Sequence, residues 1–500
     1  MTLDISELRI AYCKRQRIIP IKPKMTNLVL ESSYPTPYAT SSLLSILLLS
    51  MAGQKHTPDT KTEIKDSYDY IVVGAGSAGS VVAGRLSEKS CASVLLLEAG
   101  ENSPKLTDIP VTNKYFTQTN LDWNFETTSQ TYTGKGLNNG KITMSAGKTV
   151  GGSSVINGLQ SIRGNKKDYN NWAAQGAVGW SFEEVLPYFK KMENNTDSKF
   201  VKNGYHGVNG PLTISKPSYE SELKAAIHEA VNKMGYKFVD SNGPTQNGFF
   251  DLQATMKDGQ RCSAAKAYLV PNENRENLDI ISSAFVKKII IKDRQAQGVV
   301  FEFKKKTRKV TARKEVIVSA GAINSAKLLM LSGIGPRKEL EKHKIPVIAD
   351  LPVGRNLQEQ YGVLINFVLS NKIEPFTQKI RDDASIREYI NSKSGPLTSL
   401  AGVSDVAFLS KIGVQPPDDY PDYELYFGEG IMEIVKEKYN IKPEKRCLYS
   451  LVGRIFNFGP NSPEFETTLR HSRSPNSQFS PSSGSENHRP PNHQCRHISI

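Results

Sequence analysis

A buried strand that runs directly into a glycine-rich turn and a helix constrains the fold of this chain more than any other segment. Tyr68 to Val73 is a short apolar run typical of a buried β-strand, and residues 74–79 follow it with the pattern G-x-G-x-x-G. A second apolar run, Ser93 to Leu97, ends in Glu98. This order predicts a βαβ unit of the kind that binds a dinucleotide.

Each residue of this unit has a separate physical role. Gly74 allows a tight turn, Gly76 lets the backbone approach a pyrophosphate, and Gly79 brings the helix close to the strand. Free N–H groups at the helix start face the phosphate charge, and Glu98, 19 residues after Gly79, can accept hydrogen bonds from a ribose. The predicted contacts are Gly74, Gly76, Ser77, Ala78, Gly79 and Glu98. This unit alone does not distinguish FAD from NAD.

Length and composition indicate a soluble globular protein of two or three domains. The 500 residues exceed what one ordinary core holds, and 38% of them are hydrophobic while 23% are charged. No stretch approaches the roughly 20 apolar residues that a membrane-spanning helix requires. We therefore predict no membrane span.

The net charge of +14 does not by itself predict a nucleic-acid partner. The densest basic run, residues 304–309, lies between the apolar alternations Val299 to Phe303 and Val316 to Val318, where the exposed tip of a β-hairpin is expected. No aromatic residue interleaves with the run to stack on bases. We predict that the chain does not bind nucleic acid.

Cysteines and histidines predict neither a disulfide framework nor a metal site. The five cysteines are odd in number and widely scattered. Four of the eight histidines lie with Cys495 in residues 459–500, where no scaffold is expected to hold tetrahedral geometry. The sequence from His228 begins like H-E-x-x-H, but Asn232 stands where the second histidine is needed.

The apolar run Leu43 to Ala52 has the length of the hydrophobic region of a signal peptide. Ser50 and Ala52 match a small-residue cleavage pattern, and a start at Met25 would give the run an ordinary position. We predict secretion, with cleavage after Ala52. The alternative is a cytoplasmic chain with a leader that has no targeting role.

Two further motif blocks resemble the signatures of a known enzyme family. Residues 147–158 read GKTVGGSSVING and continue through Arg163-Gly164-Asn165 to Gly179-Trp180-Ser181, and residues 316–336 read VIVSAGAINSAKLLMLSGIGP. Together with the βαβ unit, these blocks resemble the glucose-methanol-choline (GMC) oxidoreductases, and arthropod glucose dehydrogenase-like members in particular. The resemblance covers roughly residues 67 to 458. As a set, the motifs favour FAD over NAD.

The resemblance implies further contacts with FAD. In the family the first signature passes the pyrophosphate and the isoalloxazine ring, a short apolar strand meets the adenine through its backbone, and the second signature turns near the cofactor. The positions carried over are Val150, Gly151, Gly152, Ser153, Asn157, Gly158, Val286, Ala320 and Gly321. Adjacent glycines also leave room for a flat ring or a phosphate.

The resemblance also implies an α/β fold in which a Rossmann-like FAD-binding domain alternates along the chain with an α+β substrate domain that contains an antiparallel sheet. Residues 1–66 are predicted as a leader. Residues 67–355 would be mainly FAD-binding, with a substrate-domain insertion at about 216–279, and residues 356–458 would be a partial substrate domain. Residues 459–500 have a low-complexity composition that cannot bury a core.

Family members oxidise an alcohol by hydride transfer to flavin N5, while a C-terminal histidine takes the hydroxyl proton. No residue here matches that histidine, so we assign no catalytic residue and expect a truncated or frame-shifted end after Phe458. The predicted function is FAD-dependent oxidation of an alcohol or sugar, with a quinone or another electron acceptor. The alternative is a non-catalytic FAD-binding fragment.

Overall fold

The computed structural model describes residues 45–47, 49–51, 53–130, 137–360, 362–368, 373–374, 376–410, 419–429 and 448–455. The low-complexity region predicted at 459–500 lies outside the described residues, as do most of the leader and parts of the segment 356–458. Among the described residues, no helix is long and apolar enough to cross a bilayer.

The strands of the described residues are numbered in chain order. They are β1 Ser67–Val73, β2 Val94–Leu97, β3 Phe125–Glu126, β4 Thr143–Met144, β5 Glu193–Asn195, β6 Leu212–Ile214, β7 Gly248–Asp251, β8 Met256–Lys257, β9 Gln260–Arg261, β10 Leu278–Ile281, β11 Ala284–Lys292, β12 Gln295–Phe303, β13 Lys306–Val318, β14 Ile334–Gly335, β15 Ala349–Asp350, β16 Gly362–Val368, β17 Val403–Leu409, β18 Tyr423–Glu429 and β19 Leu448–Ile455.

The α-helices are numbered in the same way. They are α1 Ser77–Leu86, α2 Ser153–Ile156, α3 Lys166–Ala174, α4 Phe182–Met192, α5 Ser198–Val201, α6 Lys224–Lys233, α7 Gly321–Leu331, α8 Arg337–Lys342, α9 Phe376–Lys379 and α10 Asp383–Ser392. Short 3₁₀ and π turns connect several of them.

A six-stranded sheet in the order β10-β2-β1-β13-β12-β11 forms the first core. β10, β2, β1 and the second half of β13 run parallel, and β10 and β2 are buried along their whole length, on both faces. Along β2, Leu95 and Leu97 join one apolar cluster, whereas Val94 and Leu96 join the cluster on the other face. Burial on both faces explains why the strands read as continuous apolar runs. The predicted βαβ unit is therefore confirmed.

The basic run lies where the hairpin was predicted, although its strand is longer than expected. Lys304 and Lys305 form the turn between β12 and β13, and both have positive φ angles, of 50° and 61°. This geometry suits a two-residue hairpin turn. The remaining basic residues are the start of β13, which pairs with β12 through Lys306 opposite Phe303. β13 thus begins at Lys306, ten residues before the predicted strand at Val316.

A five-stranded antiparallel sheet in the order β16-β19-β18-β17-β7 forms the second core. β7 comes from the predicted insertion and the other four strands from residues beyond 356, so strands distant along the chain share this sheet. One face packs around Phe250, Val406 and Phe408, and the other around Phe249 and Ala407. The α/β fold class with an interleaved antiparallel domain is confirmed. The domain boundaries themselves stay predictions.

A buried group of charges fixes the loop that leaves the first signature. His206 is fully buried, and its Nδ1 and Nε2 atoms lie 2.7 Å from Glu193 Oε1 and 2.8 Å from Asp240 Oδ2. Arg163 contacts the same Glu193 carboxylate at 2.5 Å. Burial alone would lower the pKa of His206, but the hydrogen bonds with Asp240 and Glu193 outweigh it and raise the pKa to about 9. His206 is therefore a structural, charged histidine.

This group predicts a measurable pH dependence of stability. Because the pKa of His206 is raised on folding, its stabilising contribution is complete below its ordinary pKa of 6.5 and is lost as the pH rises through about 9. Replacing His206 with Gln should lower the free energy of unfolding at pH 7 by about 3 to 5 kcal/mol, because the buried carboxylates of Glu193 and Asp240 lose the positive charge that they contact. Urea denaturation from pH 6 to 10 measures both effects. The exposed His343→Gln variant is the control, and an unchanged pH profile in His206→Gln would contradict the assignment.

Candidate functional site

Each of the three motif glycines after β1 has a different structural environment. Gly74 has a φ of 97°, a left-handed conformation that disfavours other residues. A Cβ on Gly79 would lie 1.8 Å from the carbonyl oxygen of Gly74, so a side chain there would separate the helix from the strand. A Cβ on Gly76, by contrast, would meet nothing closer than Gly152 Cα at 3.9 Å. None of the described residues therefore requires glycine at position 76.

The start of α1 is open to a ligand. Its N-cap is Gly76, which offers no side-chain hydrogen bond, and no acidic residue occupies the first turn. Gly76, Ser77 and Ala78 all line the same cleft. Unpaired N–H groups and the helix dipole at such an end attract a negatively charged group. This end of the cleft suits a pyrophosphate.

Glu98 closes the βαβ unit from the end of β2. Its Oε2 atom accepts a hydrogen bond from the Ala75 N–H at 2.7 Å, and its Oε1 atom accepts one from the Gly100 N–H at 2.9 Å. Burial raises the pKa of this carboxyl to about 6, against the lowering effect of those two N–H donors. Glu98 also lines the cleft. It therefore holds the glycine turn in place, and its oxygens retain lone pairs for a ribose hydroxyl.

The loop of the first signature lies directly against the glycine turn. The Gly151 N–H donates to the Ala75 carbonyl at 2.7 Å, and a Cβ on Gly152 would lie 2.6 Å from Gly76 Cα. Gly151 and Gly152 both have positive φ angles, of 103° and 55°. Only two backbones without side chains can approach this closely. The contact brings two motifs about 75 residues apart to one edge of the cleft.

The third wall of the cleft comes from β11 and from the start of α7. Val286 lies on β11, and Gly321, with a φ of 81°, begins α7 after its N-cap residue Ala320. The cleft between the three walls has a volume of about 1150 Å³. A second open helix start therefore faces the same space as the start of α1.

Most residues predicted to contact the cofactor line this cleft. They are Gly74, Gly76, Ser77, Ala78, Glu98, Gly152, Ser153, Val286, Ala320 and Gly321. Five others do not line it. Gly79 packs on Gly74, Val150 is buried in the core beside β1 and β2, Gly151 packs on Val155 and Ala265, and Asn157 and Gly158 follow α2 beyond the cleft.

A buried arginine that sequence reasoning missed fixes this last segment. Arg261 is fully buried, and its guanidinium donates to the Ser154 carbonyl at 3.0 Å, the Asn157 carbonyl at 2.9 Å and Asn157 Oδ1 at 2.7 Å. It also donates to the Thr107 carbonyl at 2.9 Å. Burial lowers the pKa of Arg261 to about 10, which leaves it charged at neutral pH. No local signal marks this arginine, because its partners lie more than 100 positions away.

Aromatic side chains that sequence reasoning also missed line the cleft. Trp123 and Phe125 stack with ring centroids 6.1 Å apart and planes inclined by 8°, and the Trp123 ring also contacts Phe285. The Lys148 ammonium lies 4.9 Å from the Trp123 ring centre. β3 has only two residues, too few for periodicity to reveal it. Among the described residues that line the cleft, none is a histidine.

The site residues fit a dinucleotide. Two open helix starts suit phosphate charge, a carboxylate lies at the end of β2, and a Cβ on Gly76 would meet no protein atom within 3.9 Å although the residue borders the cleft. Ligands of open α/β sheets bind at this edge, beyond the carboxyl ends of the parallel strands.

Comparison with known proteins finds similarity to one enzyme family along most of the chain. A family model described as GMC oxidoreductase matches residues 68–362. Glucose dehydrogenase [FAD, quinone] of Drosophila pseudoobscura pseudoobscura is 38% identical over 375 residues, which cover 74% of this chain and 59% of the fly protein. Oxygen-dependent choline dehydrogenase of Brucella anthropi is 37% identical over 365 residues, which cover 72% of this chain and 64% of that protein.

Solved structures agree with these relatives. A formate oxidase matches with a TM-score of 0.68 at 26% identity, over 80% of this chain and 73% of its own. Pyridoxine 4-oxidase from Mesorbium loti matches with a TM-score of 0.64 at 26% identity, over 78% of this chain and 71% of its own. The chain spans about three fifths of the length of the fly glucose dehydrogenase.

Gly76→Val and Gly79→Val should separate cofactor binding from folding. A side chain at position 76 meets no protein atom within 3.9 Å of its Cβ but blocks the approach of a pyrophosphate, so the variant should fold and lose at least about tenfold in affinity for FAD. Gly79→Val should fail to fold, because its Cβ would overlap the Gly74 carbonyl. Bound flavin absorbance and thermal unfolding of the apoprotein measure the two effects. Parental FAD occupancy in Gly76→Val would contradict the site.

Glu98→Gln should weaken the same site by a different route. The amide has one acceptor oxygen in place of two, so one buried N–H, of Ala75 or Gly100, is left without an acceptor at a cost of about 1 to 3 kcal/mol. Because the pKa of Glu98 is raised from 4.5 to about 6, the stability of the parent relative to the variant should fall as the pH rises through that interval. Urea denaturation from pH 4 to 8 tests this. The exposed Glu101→Gln variant is the control, and equal stability of parent and Glu98→Gln at every pH would refute the prediction.

Proposed function

The chain belongs to the GMC oxidoreductase family, and on that basis we propose that it oxidises the CH–OH group of an alcohol or a sugar. Its cofactor is FAD. The observation that carries the proposal is the backbone contact between Gly76 and Gly152, because it brings the glycine turn of the βαβ unit and the first signature loop to one cleft.

Different residues of the cleft are suited to bind different parts of the cofactor. The N–H groups at the start of α1, from Ser77 and Ala78, would donate to the pyrophosphate. Glu98 would accept a hydrogen bond from the adenosine ribose while it keeps its bonds to the two backbone N–H groups. Ser153, at the start of α2, and the open start of α7 at Gly321 border the remainder of the cleft. Both suit polar edges of the flavin.

Bound FAD supplies the acceptor for the hydride that leaves the alcohol carbon. The protein's own contribution is to orient the cofactor through backbone donors that have no freedom to rotate, since rigid donors cost little reorganisation when charge develops. The hydroxyl proton of the substrate requires a general base. The acidic side chains among the described residues of the cleft are Glu98 and Glu359. We assign the role of general base to neither of them, nor to any other described residue of the cleft.

For the electron acceptor, we propose a quinone or a comparable small molecule, following the relatives named for FAD and quinone. Secretion is also a proposal, and it rests on the apolar run at residues 43–52 alone. In the described part of that run, Leu47 and Met51 are buried in a cluster with Ile109 and Tyr389.

Anaerobic flavin reduction tests the proposed activity. The FAD-loaded chain is mixed with glucose, choline or a series of primary alcohols, and the flavin absorbance near its visible maximum is followed. We expect slow bleaching by at least one donor, with a rate that saturates with donor concentration, because none of the described cleft residues is assigned as the general base. The Gly76→Val variant, freed of unbound FAD before mixing, should show correspondingly less bleaching per protein, because it holds less cofactor. FAD that is bound but stays oxidised with every donor would contradict oxidation and favour a binding role alone.

A further inference from the structure

A second group of polar side chains lies far from the cleft, between α6 and the five-stranded sheet. Asp251 on β7 and Asp405 on β17 are directly paired across these antiparallel strands. Residues paired in this way present their side chains on the same face of a sheet. α6 covers this face through Val231 and Ile227, and it places His228 beside the two carboxylates.

The three side chains are close enough to share one ion. The His228 Nε2 atom lies 2.9 Å from Asp405 Oδ1. One ligand atom from each of His228, Asp251 and Asp405 lies within 4.8 Å of the other two. The side chain of His228 is 31% exposed and that of Asp251 20%, so the group is open to solvent on one side. An ion therefore has an entry path.

One carboxylate oxygen of this group has no hydrogen-bond partner among the described residues. The Asp405 side chain is completely buried, and none of the described residues donates to its Oδ2 atom, whereas Oδ1 is next to His228. Leaving a buried acceptor unpaired costs about 1 to 3 kcal/mol, and more where the group is charged. This unpaired oxygen, Asp405 Oδ2, belongs to one of the three residues of the group.

We propose that His228, Asp251 and Asp405 bind one zinc ion that ties α6 to the antiparallel sheet. Zn²⁺ takes imidazole nitrogen and carboxylate oxygen in four-coordinate sites, and three protein ligands leave the fourth position to water. Mg²⁺ and Ca²⁺ prefer six or more oxygen ligands, which a site with an imidazole and two carboxylates does not provide.

Lys224, one turn before His228 on α6, is compatible with this ion. Its ammonium lies 2.9 Å from Asp251 Oδ1 and also 2.9 Å from Glu220 Oε1. The Lys224 ammonium can keep its ion pair with Glu220 while the Asp251 carboxylate turns toward the metal. A second ammonium, that of Lys216, lies 3.8 Å from Asp251 Oδ2 and 2.7 Å from Glu220 Oε1. The three carboxylates of Asp251, Asp405 and Glu220 and the two lysine ammonium groups together carry one net negative charge, which favours a cation.

Calorimetric titration with Zn²⁺ tests the proposal. The FAD-loaded full chain is treated with a chelator, exchanged into clean buffer and titrated beside His228→Gln and Asp405→Asn. Glutamine can still donate to Asp405, so folding should survive, but no imidazole ligand remains. We expect the parent to bind one more equivalent than either variant, or to bind that equivalent at least about tenfold more tightly. Its thermal midpoint should also rise with added Zn²⁺.

The controls address other histidines and the possibility of misfolding. His343→Gln removes an exposed histidine on the turn after α8 and should titrate like the parent. The histidines of residues 459–500 are common to all these proteins, so their contribution cancels in the difference. If His228→Gln fails to hold flavin, Asp251→Asn takes its place and should lose the same equivalent. Identical Zn²⁺ titrations of the parent and of every folded variant would overturn the proposal.

Discussion

The close approach of two glycine backbones is the contact on which the rest of the structure depends. Gly76 and Gly152 face each other so closely that a Cβ on the second would overlap the first, and the Gly151 N–H donates to the Ala75 carbonyl at 2.7 Å. This contact positions the start of α1 against the first signature loop. The cleft, the two open helix starts and the polar residue at the end of β2 all follow from that positioning.

Polar side chains then hold the loops that the glycines bring together. Glu98 binds two backbone N–H groups, and Arg261 binds carbonyls on both sides of α2. His206 joins two carboxylates at the edge of the second core. In each case a buried charge has its hydrogen-bonding partners, as charges in a protein interior require. Asp405 departs from this pattern because one of its oxygens has no partner in the part of the chain that the structure describes, and this departure supports the proposed metal site.

Local patterns predicted the fold well where the determinants lie close together in the chain. The βαβ unit, the hairpin turn at Lys304 and the α/β class are confirmed. Phe125 and Arg261 were missed, since a two-residue strand and contacts across 100 residues leave no periodic signal.

The sequence by itself determined that the chain contains a βαβ unit of the dinucleotide-binding kind, because the spacing of Gly74, Gly76 and Gly79 between a strand and a helix is a property of six consecutive residues. Only the tertiary structure decided which distant groups meet. It placed Gly152 against Gly76, and it brought His228 to Asp405 across 177 positions. The physical reason is that sheet pairing and helix packing depend on burial summed over the whole chain, which no local pattern contains.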